Sequence, residues 1–400
     1  MTDCCIIGGG IIGLSIAREL AGRGLSVRVL ARDPARDTSS WAAAGIFPPA
    51  PDVPDGPPGD SLTAWSDRLH RQWAAELRDE TGIDNELDAC GGLHLAGDAR
   101  GIARLHDELL AWRGKGVRCE PLTPPQVASQ EPALRDAVEH GLIAGGYLLP
   151  DEMRIRSPRH LEALTRSCLA RGVDITTAAD VTRIDVGGDR IQGVVVRRKG
   201  GPDVHETVVR AERYCLAAGA WSSKLAESLG VRIDTRPIRG QIALLRLPKQ
   251  VLARVINVGL EYFVPRPDGR LLVGSTIEDA GFAPTTTPEA IDRLMDFARR
   301  LLGPLPDAVM EQSWAGLRPG SADGRPSIGG VPGCHNAFVA AGHFRAGLHQ
   351  STGTAVMLAD LMTGRRPPLA PEPFAPGRPA GDPSTDSVQA YLARAAAESQ

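Results

Sequence analysis

The stretch CCIIGGGIIGLSIARELAGRGLSVRVLARD, residues 4–33, decides how this chain is read. Cys4, Cys5, Ile6 and Ile7 form a short unbroken apolar run, as a parallel strand buried on both faces requires. Ile12, Ile16 and Leu20 then recur at helical spacing, Gly22 and Gly24 end the helix, and residues 26–30 make a second strand. The pattern is a βαβ unit, two parallel strands joined through a crossover helix. Gly8, Gly10 and Gly13 give G-x-G-x-x-G between the first strand and the helix, the context that gives the motif meaning. The first glycine makes the turn, the second admits a pyrophosphate to the backbone, and the third packs helix on strand. The helix N-terminus adds free N–H groups and a partial positive charge.

The end of the second strand departs from the pattern. An acidic residue that would hold a ribose hydroxyl is expected there, but the register gives Ala31, followed by Arg32 and Asp33. Asp33 can reach from two residues later, or backbone can replace the carboxylate. Arg32 also suits a 2′-phosphate, so the glycine loop alone leaves NADP as a rival.

Outward from this unit, the 400 residues are 42% hydrophobic and 23% charged with a formal net charge of -3. That balance gives no reason to expect nucleic acid or an anionic membrane as partner. The seven cysteines are scattered with no CxxC pair, and the nine histidines show no metal-ligand spacing, so neither a disulfide framework nor a metal is expected. Cys4 and Cys5 are expected as buried small residues. The first apolar run begins at residue 4 and no apolar stretch is long enough to span a bilayer, which reads as a soluble, cytoplasmic protein.

Residues 48–60 (PPAPDVPDGPPGD) read as a loop, either plain linker or a lid over an entrance. Residues 61–80 read as a helix with Leu62, Trp65, Leu69 and Trp73 on one face. A helix over 158–171, a meander over 173–211, a buried strand over 214–218, strands at 241–247, 261–265 and 271–275, and a helix near residue 287 follow. Residues 348–362 read as helix, and the Pro/Ala-rich tail 366–400 as poorly ordered.

Further segments carry more information. They are SSWAAAGI at 39–46, AAGAWS at 217–222, WAGLRPG at 314–320, DGRP at 323–326 and AGHFRAG at 341–347. In this order and spacing they resemble the D-amino-acid-oxidase-like flavoproteins, and among them the glycine oxidase group of the thiamine pathway. The resemblance covers roughly residues 3–365. It implies an α/β (α+β overall) chain with a Rossmann-type FAD-binding domain over 1–85, 150–225 and 310–365. A mostly antiparallel sheet domain for substrate would comprise 86–149 and 226–309, leaving 366–400 as tail.

By position, the resemblance makes Ile11, Ile12, Ala31, Arg32, Ser39, Ser40, Ala44, Gly45, Ile46, Val181 and the run His343, Phe344, Arg345, Ala346, Gly347, Leu348, His349 contacts of FAD. Arg318 matches an arginine that grips a substrate carboxylate, Tyr262 a tyrosine of the same pocket, and Arg345 a residue near substrate and flavin. Related enzymes tether FAD to a cysteine, and none stands in the corresponding region here, so non-covalent FAD is implied. Asn257 stands where relatives carry a pocket aromatic.

The chemistry suits these residue types. Oxidation of an amine moves a hydride from the carbon bearing nitrogen to the cofactor. Two parallel hydrogen bonds from a guanidinium would fix a carboxylate, and so that carbon, as a lysine would not. Helix N–H groups after Gly347 would stabilise charge on the reduced flavin. The resulting expectation is oxidation of glycine or a similar small amine, with O2 as acceptor giving H2O2, and a homo-oligomer left open. The alternatives are a dehydrogenase passing electrons to a quinone or partner subunit, as in hydrogen cyanide synthase, a flavoenzyme of modified tRNA, which the near-neutral charge disfavours, and a non-catalytic nucleotide-binding module.

Overall fold

A computed structural model describes residues 2–33, 35–198, 206–305, 307–379 and 386–398. Strands Cys4–Ile7 and Val27–Leu30 pair in parallel, Cys4 opposite Val27 and Ile7 opposite Leu30. Helix Ile11–Gly22 crosses between them. The sheet continues on the other side, where Arg213–Leu216 pairs in parallel with the first strand. Its six strands run in the order Ser327–Gly330, Ala337–Ala341, Arg213–Leu216, Cys4–Ile7, Val27–Leu30, Asp174–Thr176.

This arrangement explains the unbroken apolar run. Cys4 and Ile6 point into a core of helices with Leu62, Trp73, Leu164 and Leu358. Cys5 and Ile7, on the opposite face by the two-residue period of a strand, join Val194, Val196 and Tyr214 under an antiparallel meander. That meander is Ala179–Gly187, Arg190–Arg198 and Glu206–Val209. Cys4 and Cys5 have no exposed surface, and burial pushes the Cys5 thiol up to about 12. All seven cysteines are free.

The second sheet has eight strands, in the order Val309–Gly320, Arg236–Arg246, Arg270–Gly274, Glu261–Pro265, Val255–Val258, Gly92–Ala96, Gly145–Leu149, Glu120–Leu122. Neighbours are antiparallel except Val255–Val258 beside Gly92–Ala96. One face packs on helix Pro288–Leu302, where Leu294, Phe297 and Leu301 meet Ala243, Phe263 and Val273. The Phe263 and Phe297 rings stack 4.7 Å apart. Alternation therefore puts Tyr262 and Val264 on the other face, with Ile242 and Leu272. Strand Val309–Gly320 belongs to this sheet, so the sheet runs past the boundary expected at residue 309.

Three readings need correction here. Helix Pro58–Thr81 starts inside the stretch expected as loop, because proline suits a first helical turn. Its buried face holds Ser66 and His70 as well as Leu62, Trp73 and Leu77, while Trp65 and Leu69 are half-buried. These polar residues meet a neighbouring segment: the Gly353 N–H donates to Ser66 Oγ at 3.1 Å, and His70 Nε2 lies 3.0 Å from the Leu348 carbonyl. The tail is also structured where it is described. Phe374 and Val388 are 1% exposed, and Ser387–Glu398 is a helix; residues 380–385 and 399–400 of that tail lie outside the described residues.

Among the described residues no helix is long and apolar enough to cross a membrane, and no group of three or more His, Cys, Asp or Glu is placed to hold a metal.

Candidate active site

A cavity of about 780 Å³ lies between the two sheets. At one end it is bounded by the glycine loop, at the carboxyl ends of Cys4–Ile7 and Val27–Leu30, where open α/β sheets bind ligands. Gly8, Gly10, Ile11 and Ile12 line it there. Gly13 does not; it lets the helix meet the strand, since a Cβ there would lie 2.0 Å from the Gly8 carbonyl oxygen. Helix Ile11–Gly22 has no side-chain cap at Gly10 and no acidic residue in its first turn. An acid-free helix N-terminus facing a cavity fits the pyrophosphate of a dinucleotide. Ser40 reaches the same end, its Oγ accepting from the Ile11 N–H at 2.9 Å.

Arg32 and Asp33 line the next part of the wall, and Ala31 does not. Arg32 is committed to Asp33 at 2.5 Å, with its guanidinium carbon 4.0 Å over the Trp221 ring. An arginine held against the Asp33 carboxylate and the Trp221 ring is a poor receptor for a 2′-phosphate, because the carboxylate would repel it, and this counts against NADP. Ser39, Ala44, Gly45, Ile46 and Val181 complete this middle portion.

At the far end Tyr262, Arg318 and Arg345 share the cavity with His343, Phe344, Gly347, Leu348 and His349. Ala346 stays outside it; its N–H closes a turn onto the His343 carbonyl. The regular helix begins at Ser351, three residues later than expected, after the turn Phe344–Ala346. His343 is 3% exposed. Burial pushes its imidazole down to about 3, and Nε2 meets Thr354 Oγ1 at 3.0 Å, so it sits there neutral.

Arg318 comes from strand Val309–Gly320, opposite Ile238 on Arg236–Arg246. Its guanidinium donates to Ser275 Oγ at 2.8 Å and to the Thr276 carbonyl at 3.3 Å. Gly240 makes room for it, since a Cβ there would sit 2.2 Å from Nη1. Among the described residues no carboxylate lies within ion-pairing distance of Arg318 or Arg345, whereas nearby Arg239 is paired with Glu278. Burial pushes the Tyr262 phenol up, opposed by the positive charge of Arg318 and the hydrogen bond to Ser275.

Asn257 is not on this wall. Its side-chain amide donates to Glu152 Oε1 at 3.1 Å, in a cluster where His94 meets Glu152 at 2.9 Å. Residues the sequence did not single out also line the cavity, among them Trp221, Ile242, Ser275, Pro319 and Tyr391. The segments 217–222 and 314–320 were the available signal for Trp221 and Pro319; nothing marked Tyr391.

A glycine loop at one end of the cavity fits a dinucleotide, and at the other end two guanidinium groups, without a carboxylate partner among the described residues, fit a small anion. The comparisons supply the class. The FAD dependent oxidoreductase (DAO) family model matches residues 3–361, and the chain belongs to that family. It is 34% identical over 373 residues to the glycine oxidase of Pseudomonas aeruginosa, covering 93% of this chain and 97% of that protein. The crystal structure of glycine oxidase from Geobacillus kaustophilus superposes with TM-score 0.85 at 29% identity, covering 95% of this chain and 99% of that one. L-proline dehydrogenase from P. horikoshii, at TM-score 0.79 and 19% identity over 94% and 97% of the two chains, shares the fold. The cofactor is FAD, and the chain is an FAD-dependent oxidoreductase.

Proposed function

We propose that this chain oxidises glycine or a similarly small α-amino acid at the carbon bearing nitrogen, and that O2 then takes the electrons and leaves as H2O2. FAD supplies the hydride acceptor when bound. The observation that carries the reading is Arg318, a guanidinium on the cavity wall with no carboxylate partner among the described residues. A half-buried cation of this kind gains most from a carboxylate that accepts two parallel hydrogen bonds. Ser275 and the Thr276 carbonyl hold the guanidinium plane, so a carboxylate bound to it has one orientation. Tyr262 stays a neutral phenol beside that site because burial opposes its ionisation. Apolar Ile46 and Ile242 help exclude water from the same wall.

In this reading FAD is held by 1–85, 150–225 and 310–365 and substrate mainly by 86–149 and 226–309, with Arg318 and Arg345 reaching across. No cysteine lines the cavity, which supports FAD held without a covalent bond. Seven free thiols suit a reducing, cytoplasmic setting.

The test is Arg318→Lys assayed with glycine and with methylamine, its decarboxylated counterpart. The expected result is a large rise in KM for glycine with FAD still bound and little change for methylamine. Equal loss on both would assign Arg318 a structural role. Oxygen consumption with H2O2 release separates O2 from a quinone or protein acceptor.

A further inference from the structure

We propose that Tyr391, carried by the C-terminal helix, is a specificity-determining residue that limits the size of the substituent on the substrate's α-carbon. This inference rests on the reading of Arg318 as the carboxylate site.

The helix Ser387–Glu398 lies beyond residue 361, where the family match ends. Several contacts fix its start. Asp386 pairs with Arg236 at 2.5 Å, and its other carboxylate oxygen accepts from the N–H groups of Val388 and Gln389 at 2.9 and 3.1 Å. The Ser387 N–H donates to the Ala322 carbonyl at 2.7 Å, and its hydroxyl donates to the Ser321 carbonyl at 2.8 Å. Val388 is 1% exposed. These anchors attach the helix to the end of the strand that carries Arg318. Tyr391 follows Val388 by three residues, nearly one turn, which brings it onto the same side of the helix.

From there its ring reaches the cavity wall. It meets Phe344 edge-on at 5.3 Å between centroids, and the Arg345 guanidinium carbon lies 4.7 Å over its face. Arg345 is exposed and Tyr391 half-buried, so the pair forms the outer rim of the pocket. Two ring contacts on a side chain with two rotatable bonds make a stiff wall rather than an adaptable one. A stiff wall at the rim would meet substituents that extend toward it from the α-carbon, and the longer ones most. The discriminating element then comes from outside residues 3–361, which the family model matches.

The experiment measures kcat/KM of the full-length, FAD-loaded protein for glycine, alanine, valine and phenylalanine, the chiral ones in both configurations. Proteins compared are the wild type, Tyr391→Phe, Tyr391→Leu and Tyr391→Ala. The ratio of the larger substrates to glycine is expected to rise by roughly 10-fold or more in Tyr391→Ala, the scale of discrimination by apolar pocket volume. Tyr391→Leu, which keeps part of the volume and a good helix former, is expected to fall between, and Tyr391→Phe to keep the wild-type ratio. A role confined to holding the helix would lower the melting temperature and depress every substrate alike; an unmoved ratio in both the Ala and Leu variants overturns the inference. Failure of the wild type to oxidise any α-amino acid overturns the Arg318 reading and this one with it, an outcome distinct from an active enzyme with unmoved ratios.

Discussion

The two ends of the cavity are built by opposite means. At the phosphate end, residues 4–33 supply strand, glycine turn, helix N-terminus and the Arg32–Asp33 pair from one continuous stretch. At the far end, Tyr262, Ser275, Arg318, Arg345 and Tyr391 arrive from five separate segments. Backbone N–H groups face the cavity at the first end, and side chains from two sheet strands, a loop, a turn and a helix face it at the second. The difference teaches that the phosphate end of the cavity is a local product of one stretch, whereas the far end is a product of the topology.

The sharpest way to break that contrast is Gly13→Val. Its Cβ would meet the Gly8 carbonyl at 2.0 Å, contact with backbone that cannot rotate away. Overpacking of this kind costs about 1–3 kcal/mol or more, concentrated at the pyrophosphate turn. The protein is expected to purify without flavin and melt at a lower temperature. A variant that retains a full complement of FAD would show that the loop is not what holds it.

Next in size comes a pair of arginines on neighbouring strands. Arg318→Ala removes charge-assisted hydrogen bonds worth roughly 1.5–3 kcal/mol each, so kcat/KM for a carboxylate substrate is expected to fall about 10²–10⁴-fold with little change in flavin content. Arg239 is paired with Glu278, and Gln241 also donates to that carboxylate at 2.7 Å. Arg239→Ala is therefore expected to lower thermal stability and leave substrate preference alone. The comparison fails if the two variants behave alike in both assays.

Tyr262→Phe is a smaller probe of the same end. It deletes the phenol's hydrogen bond with Ser275 and keeps the ring against Gly274. A loss of about 0.5–1.5 kcal/mol predicts roughly a 2- to 10-fold fall in kcat/KM. An unchanged rate would make Tyr262 a wall and no more.

How much of this was readable beforehand follows from the same contrast. The βαβ unit was legible because an unbroken apolar run, helical period and glycine spacing all act within thirty residues. Gly13 packs helix on strand, as its place in the motif predicts, whereas Ala31, expected among the FAD contacts, does not line the cavity. Arg318 and Tyr262 stood out through resemblance, since nothing local distinguishes a strand arginine that pairs from one that does not. Asn257 was placed on the pocket side by position; it lies on a strand the sequence reading did not mark, and its amide is occupied by Glu152 and His94. Tyr391 was hidden in a Pro/Ala-rich tail, where composition signals disorder and the anchoring Asp386–Arg236 contact spans 150 residues.

A further predicted effect, on stability rather than on either end, belongs to the helical core. Burial pushes the imidazole of His160 down to about 3, assisted by Arg18. Its folded pKa lies below the unfolded value of about 6.5, so the unfolded chain binds the proton first. Stability is therefore full above about pH 6.5 and falls as pH drops toward 3, by about 1.4 kcal/mol per pH unit for this group. His160→Gln is expected to flatten the fall in melting temperature between pH 7 and pH 5; an unchanged slope would mean the folded protein accommodates the charged ring.

The most direct test of the account is an anaerobic absorbance titration of the purified protein. A flavin band near ~450 nm, as the cofactor requires, is predicted to bleach on addition of glycine and to resist methylamine at the same concentration. Readmitting air is then predicted to restore the band. Bleaching by methylamine as readily as by glycine, or by no α-amino acid at all, would contradict the claim that Arg318 positions a carboxylate for oxidation.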